Sequence, residues 1–256
     1  MPERPELTTQ VSATLAEIRR ILGNDLLAVY LHGSAVAGGL RPQSDIDLLA
    51  VVDRGPTGPM RAELLSSLLR LSGRHPAPPE GPRCLEVMVF SRPDLADRIF
   101  PARAEFVYGE WLRPGFEAGE VPLPARDPEF TLALAQARGQ AIPLLGPAPE
   151  ALLPEVSAAA VRRAMRDLLP ALLEGLHQDT RNVLLTLARM WLTTSKGIFA
   201  SKDEAAIWAI QRLGAEDAAI LDIARRGYVG EIADDWSGRR EDAQRLADQM
   251  ARHLGE

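Results

Sequence analysis

Asp45 and Asp47 stand one residue apart in "SDIDLLAVVD", an apolar run whose pattern predicts a strand over 44–53. In a strand, residues i and i+2 share a face, so the two carboxylates project together while Ile46 and Leu48 point the other way. Two acids this close repel, and burying them unpaired costs several kcal/mol. A hard divalent cation such as Mg2+ relieves that repulsion, and it commonly takes one or two carboxylates plus the phosphates of a substrate. The preceding "YLHGSAVAGG" offers the phosphate chemistry. Gly33 lets the backbone approach closely, Ser34 brings a hydroxyl and an N–H, and a helix predicted to start near Ala35 would aim its N-terminus at an anion. Turn or edge roles for the two acids compete with this reading. Asp-x-Asp alone is a weak pattern. Gly-Ser, ten residues, then Asp-x-Asp between two apolar runs is far more specific.

The surrounding elements must hold these groups. "TTQVSATLAEIRRILG" spaces Val11, Leu15, Ile18 and Leu22 at helical intervals behind Thr8 and Thr9 as candidate caps. "LLAVYLHG" predicts a buried strand over 26–33, and "CLEVMVF" a third strand over 84–90. Pro59 suits the start of the helix "MRAELLSSLLRLSG". Residues 74–83 form a Pro-rich loop, and short helices are predicted in "PDLADRIF" and "PEFTLALAQARG" around a Gly/Pro-rich connection. The proline-dense stretch 146–157 reads as a linker. Beyond it strand signals vanish, and five helical segments follow, each ending near Gly. Pro170 is expected to kink or restart the first of them. The organisation is an α/β (α+β) domain with a mixed sheet over 1–155 and an all-α helical bundle over 156–256.

The bulk properties narrow the partners. The 256-residue chain carries a net charge of −6 and no basic block, which argues against nucleic acid and fits a small cationic partner. The single Cys84 excludes an internal disulfide, suggests a reducing compartment, and reads as a small buried hydrophobe. No basic n-region or apolar core marks a signal peptide, and no apolar stretch approaches a membrane span. A cytoplasmic monomer is expected. Only two lysines, Lys196 and Lys202, stand among 27 arginines, which singles out those two positions. His75, His177 and His253 lack metal-ligand spacing, His32 packs or bonds the Gly-Ser turn, and Trp191, Trp208 and Trp236 read as core residues at helical positions.

"YLHGSAVAGGLRPQSDIDLL", "LEVMVF", "VYGEWLRPG", "DTRNVLLTLARMW" and "SKDEAAIWAIQRL" together resemble, in the same order, the AadA-type aminoglycoside (3'')(9) adenylyltransferases of the DNA polymerase β-like nucleotidyltransferase superfamily. The resemblance covers about residues 25–230. It implies Mg2+-dependent transfer of AMP from ATP to a hydroxyl of spectinomycin or streptomycin, with release of pyrophosphate. It implies that Asp45 and Asp47 hold the metal, that Ser34 contacts the triphosphate with Ser44 close by, and that Arg189, Lys202 and Tyr228 on the helical domain close over the ATP. Glu86, an acid in an otherwise apolar strand, matches the family's general base for a poorly nucleophilic hydroxyl; a water-facing edge glutamate is the competing reading. Asp179 matches a residue that contacts the cationic drug, although its place before a long helix also suits an N-cap. Trp111 matches a residue near the drug, with core packing as the competitor.

The chain departs from the family at one point. Members that take both drugs carry a tryptophan and an acid shortly before "D-x-R-N". Here "DLLPALLEGLHQDTRN" has Glu174 but no tryptophan, so spectinomycin is the expected substrate and streptomycin the doubtful one. A protein-AMPylating enzyme or a non-catalytic nucleotide-binding module on the same scaffold are the alternatives. A polymerase-like role would need a basic groove.

Overall fold

The computed structural model describes residues 5–78 and 80–255, with side chains over 9–78 and 80–254. The chain forms two compact units. The first comprises Met1–Val36 and Gln43–Glu155; the second comprises Ala37–Pro42 and Val156–Glu256.

The first unit opens with α1 (Pro5–Leu22), β1 (Leu26–His32), β2 (Ile46–Val52), α2 (Gly58–Leu71), β3 (Leu85–Ser91) and α3 (Arg92–Asp97). It continues through β4 (Arg103–Ala104), β5 (Phe106–Tyr108), α4 (Arg113–Glu117), β6 (Ala125–Arg126), α5 (Pro128–Gln140), β7 (Ile142–Leu145) and α6 (Pro149–Leu152). Five strands make one sheet in the order β5-β3-β2-β1-β7, with β2 and β3 parallel and the other neighbours antiparallel. Central β2 is therefore apolar on both faces beyond its first residues. Ile46, Leu48, Ala50 and Val52 join Leu85, Val87 and Val89 of β3 in a core closed by Ile18 and Leu22 of α1 and Leu64 and Leu68 of α2. Thr57 caps α2 by accepting from the Met60 N–H, and Pro59 occupies its first turn.

The second unit is helical: α7 (Ala158–Glu174), α8 (Thr180–Lys196), α9 (Lys202–Ile210), α10 (Ala215–Val229) and α11 (Arg240–Gly255). The helix α8 is buried along most of its length, from Val183 through Thr193, and the other four pack around it. Trp191 stacks on His253 with centroids 4.2 Å apart and meets Trp208 edge-on at 5.1 Å. The short segment Ala37–Pro42 packs with these helices. Arg41 pairs with Asp203 at 3.2 Å, and a Cβ on Gly38 would come within 3.0 Å of the Ser201 Cβ. No described helix is long and apolar enough to cross a membrane.

Several expectations need correction. Thr9 lies inside α1, which already begins at Pro5, so it cannot be the cap; the Thr8 side chain lies outside the described residues. No α-helix starts at Ala35. A single 3-10 turn, Gly33–Ala35, leads into further turns, because Gly38 and Gly39 take φ of +79° and +84°, which a helix cannot continue through. Helix α7 runs through Pro170 without interruption and ends one turn later. Trp236 lies on the α10–α11 connection rather than on a helix, its indole N–H donating to Asp234. The edge strands β5 and β7 were missed. They are only three and four residues long, and Pro143 within β7 is tolerated because β7 is an edge strand.

Leu48 is fully buried at the centre of the sheet. Leu48→Ala is expected to destabilise the first unit by about 2–5 kcal/mol. An unchanged urea midpoint, read by circular dichroism, would contradict this placement of the core.

Candidate active site

Three strands bring three polar side chains to one level. His32 at the end of β1 pairs with Asp47 of β2, and Asp47 pairs in turn with Glu86 of β3. Directly paired residues share a sheet face. The next row, Leu31, Leu48, Val87 and Tyr108, faces the opposite way, into or against the α1/α2 core. His32, Asp47 and Glu86 thus form a polar row on the other face, where β1 ends and β2 and β3 begin. Asp45 immediately precedes β2, and both aspartates are half-buried while Ile46 and Leu48 are fully buried.

The Gly33-Ser34 turn sits directly against this row. Gly33 has φ +64°, and a Cβ built on it would fall 1.7 Å from the Asp47 Oδ2. Only glycine allows both that backbone conformation and that approach of the carboxylate. Other groups hold the segment that carries Asp45. The Arg83 guanidinium donates to the Ser44 carbonyl at 2.8 Å, and the Ile46 N–H donates to the Cys84 carbonyl at 2.9 Å. Ser44 is buried and Ser34 half-buried. Burial pushes the His32 pKa down to about 4, so the imidazole is neutral near neutral pH, and its buried Nε2 has no hydrogen-bond partner. Cys84 is buried, and burial, with the nearby Asp45 charge, pushes its thiol up to about 12; it is an inert packing residue.

The donor set suits a hard cation. Asp45 and Asp47 offer carboxylate oxygens on neighbouring positions, and the glycine cradle leaves Asp47 Oδ2 space that a side chain would fill. Among the described residues no group of three or more His, Cys, Asp or Glu could hold a metal ion. Two carboxylates completed by substrate phosphates and water are the arrangement Mg2+ commonly accepts.

The helical unit assembles a second group. Lys202, the first residue of α9, bonds the Asn182 side-chain oxygen from α8 and lies 5.8 Å from the centre of the Tyr228 ring on α10. Ser201 caps α9 in a reciprocal box with Glu204, which fixes where the lysine stands. Arg189 lies on α8, seven residues and thus two turns beyond Asn182. Asp203 receives Arg41 at 3.2 Å and Arg225 at 3.5 Å, a charge network beside the lysine. Asn182, Arg41 and Asp203 were not singled out in the sequence; the only signal for Asn182 was its place in "DTRN".

The remaining candidates occupy distinct places. Asp179 is the residue before α8, in N-cap position, yet its side chain makes no cap bond, and it is exposed. The capping role therefore does not occupy its carboxylate. Glu174 ends α7 and is also exposed. Trp111, in the 3-10 turn Glu110–Leu112 of the first unit, is 55% exposed and is not a core residue.

The same organisation recurs in known proteins. Residues 151–253 match the family model of the aminoglycoside adenylyltransferase C-terminal domain, and residues 13–76 match that of the nucleotidyltransferase domain. The chain is 44% identical over 233 residues to a spectinomycin 9-adenylyltransferase of Staphylococcus aureus, spanning 91% of this chain and 89% of that one. It is 36% identical over 241 residues to an aminoglycoside (3'')(9) adenylyltransferase of Escherichia coli, spanning 92% and 90%. The crystal structure of spectinomycin adenyltransferase AAD(9) from Enterococcus faecialis with ATP and spectinomycin superposes with a TM-score of 0.91 at 28% identity, over 97% of this chain and 99% of that one.

Gly33→Ala tests the cradle. Its added methyl group meets the Asp47 carboxylate, and the left-handed backbone costs about 1–2 kcal/mol for alanine. The variant is expected to fold with a modestly lowered melting temperature and to lose Mg2+-dependent nucleotide binding by calorimetry. Undiminished binding would show that the carboxylate does not depend on the glycine.

Proposed function

The chain belongs to the aminoglycoside adenylyltransferases, and from that premise we propose that it transfers AMP from ATP to the 9-hydroxyl of spectinomycin, with streptomycin a poorer acceptor at its 3''-hydroxyl. The observation that carries the reading is the paired row Asp47–Glu86, set against the Gly33-Ser34 turn. Two carboxylates paired across neighbouring strands, beside a glycine turn, support a metal-holding role for Asp47 and a proton-accepting role for Glu86.

In this reading Asp45 and Asp47 would hold Mg2+, whose charge would offset that of the phosphates. Ser34 and the backbone of its turn bind the phosphates, with Ser44 behind them. Glu86 accepts the proton of the acceptor hydroxyl as its oxygen bonds to the α-phosphorus; the bond to the β-phosphate oxygen breaks and pyrophosphate leaves. Arg189 and Lys202 supply positive charge to the nucleotide. Asn182 and Tyr228 hold the Lys202 ammonium in place. Asp179 and Glu174 offer acidic contacts to the cationic drug, and the exposed Trp111 offers an aromatic face.

Drug choice follows from what the α7–α8 connection contains. Streptomycin's guanidinium groups need planar acidic or aromatic partners, and no tryptophan lies between Asp167 and Asn182. Lack of one stacking contact of about 0.5–2 kcal/mol weakens binding by about twofold to thirtyfold without excluding it. Compact spectinomycin needs fewer contacts. The kinship to enzymes named for spectinomycin alone supports this order.

Purified protein with ATP and Mg2+ should release pyrophosphate with spectinomycin and yield a product heavier by one AMP. Streptomycin should give a lower kcat/KM. Strong turnover of streptomycin with none of spectinomycin would overturn the assignment. Glu86→Gln should retain ATP binding and lose roughly 10²–10⁴ in turnover. Loss of ATP binding along with turnover would make Glu86 a structural or metal-holding group instead.

A further inference from the structure

Next to the exposed Trp111 lies one of the most heavily bonded carboxylates of the first unit. The Glu110 side chain is 6% exposed. It accepts hydrogen bonds from the Ser72 hydroxyl at 2.6 Å, the Tyr108 phenol at 2.6 Å, and the Arg113 guanidinium at 2.6 and 2.8 Å. Burial alone would raise this carboxyl, but the bonds from Arg113, Ser72 and Tyr108 outweigh it and hold its pKa below the ordinary value. Arg113 is itself buried and also donates to the Tyr108 oxygen at 3.2 Å, while the Tyr108 ring stacks on Phe116 with centroids 5.6 Å apart.

Two features tie this anchor to the proposed site. First, the Ser72 hydroxyl that donates to Glu110 also accepts the Leu85 N–H at 3.0 Å. Leu85 is the first residue of β3, and its neighbour is Glu86. One hydroxyl thus joins the entry of the strand that carries Glu86 to the turn that carries Trp111. Second, the indole is folded back over bare backbone. A Cβ on Gly109 would fall 2.2 Å from Trp111 Cζ3 and 2.3 Å from Cη2. Gly109 has extended backbone that any residue adopts, so it is the indole, not the main chain, that requires glycine there. A large exposed ring therefore sits against bare backbone on a 3-10 turn whose neighbouring residue, Glu110, is anchored in the interior.

We infer that Glu110 is a positioning residue, which sets the turn that carries Trp111 and, through the Ser72 hydroxyl, the entry of β3 at Glu86, and so governs how tightly the cationic acceptor is bound. The inference rests on the proposed function, in which Trp111 and Glu86 touch that acceptor. Its reach differs from theirs, because Glu110 is buried and meets the acceptor only through them. Ser72→Ala removes the link to β3, and Gly109→Ala unseats the indole while leaving the Glu110 bonds in place.

Initial rates with spectinomycin and Mg·ATP varied separately test this on Glu110→Gln, Ser72→Ala, Gly109→Ala and Trp111→Ala. Glu110→Gln and Gly109→Ala should each raise the spectinomycin KM by roughly tenfold, while the ATP KM changes by less than about twofold. The double variant Glu110→Gln/Trp111→Ala should raise the spectinomycin KM by less than the product of the two single effects, because both changes act in part on the Trp111 contact. Should Glu110→Gln fail to fold, Gly109→Ala and Ser72→Ala, which keep the Arg113 ion pair, decide the matter. A lower kcat with an unchanged spectinomycin KM in all three would mark the network as purely structural and overturn the inference. So would effects of Glu110→Gln and Trp111→Ala that multiply. Wild-type protein that turns over neither drug would refute the proposed function itself and the inference with it. A normal wild type with an unaltered Trp111→Ala would remove only the role of Trp111 and this inference.

Discussion

Two carboxylates, Asp47 on the central strand β2 and Asp45 just before it, stand close together, and the elements around them fix where they stand. Asp47 lies between His32 and Glu86 in the row where β1 ends and β2 and β3 begin. Gly33 admits the carboxylate where any side chain would collide with it. Arg83 and the Cys84 carbonyl fix the backbone on either side of Asp45, which precedes the strand and is less constrained by the ladder. In the proposed reading Asp45 and Asp47 would hold a divalent cation together with the triphosphate.

The neutral His32 fits the same constraint. Its burial holds it uncharged, so it adds no positive charge that would compete with a metal for Asp47. Opposite chemistry appears in the helical unit, where Lys202 is held by Asn182 and Tyr228, and Arg41 and Arg225 converge on Asp203. The start of α9 thus gathers cations among the acids Asp203 and Glu204, whereas carboxylates gather at the start of β2.

Much of this was legible from residue types. Asp45, Asp47 and Glu86 stand out because an acid within an apolar run is costly without a task, and the passage from a strand-bearing half to a helical half follows from the change in hydrophobic period after residue 157. The pairing that lines up His32, Asp47 and Glu86 was not legible, since register depends on partners far apart in the chain. The expected helix at Ala35 failed because the glycines at 38 and 39 act on the backbone more strongly than the Gly-Ser pattern suggests. The sequence offers Asp179 both a cap and a ligand role, and its side chain makes no cap bond. Asn182 and the Glu110 anchor were invisible because their roles lie in side-chain partners 20 to 38 residues away. The six residues Ala37–Pro42 lie within one short loop in sequence, yet pack with the helices rather than with the sheet that flanks them.

Paramagnetic resonance of Mn2+, with and without a non-hydrolysable ATP analogue, tests directly whether Asp45 and Asp47 hold a divalent cation together with a nucleoside triphosphate, in the wild type and in Asp45→Asn and Asp47→Asn. Tight Mn2+ binding is expected in the wild type only when the analogue is present, with its loss in both variants at unchanged circular dichroism. Equal Mn2+ binding by the wild type and Asp47→Asn in the presence of the analogue would contradict that role of the two carboxylates.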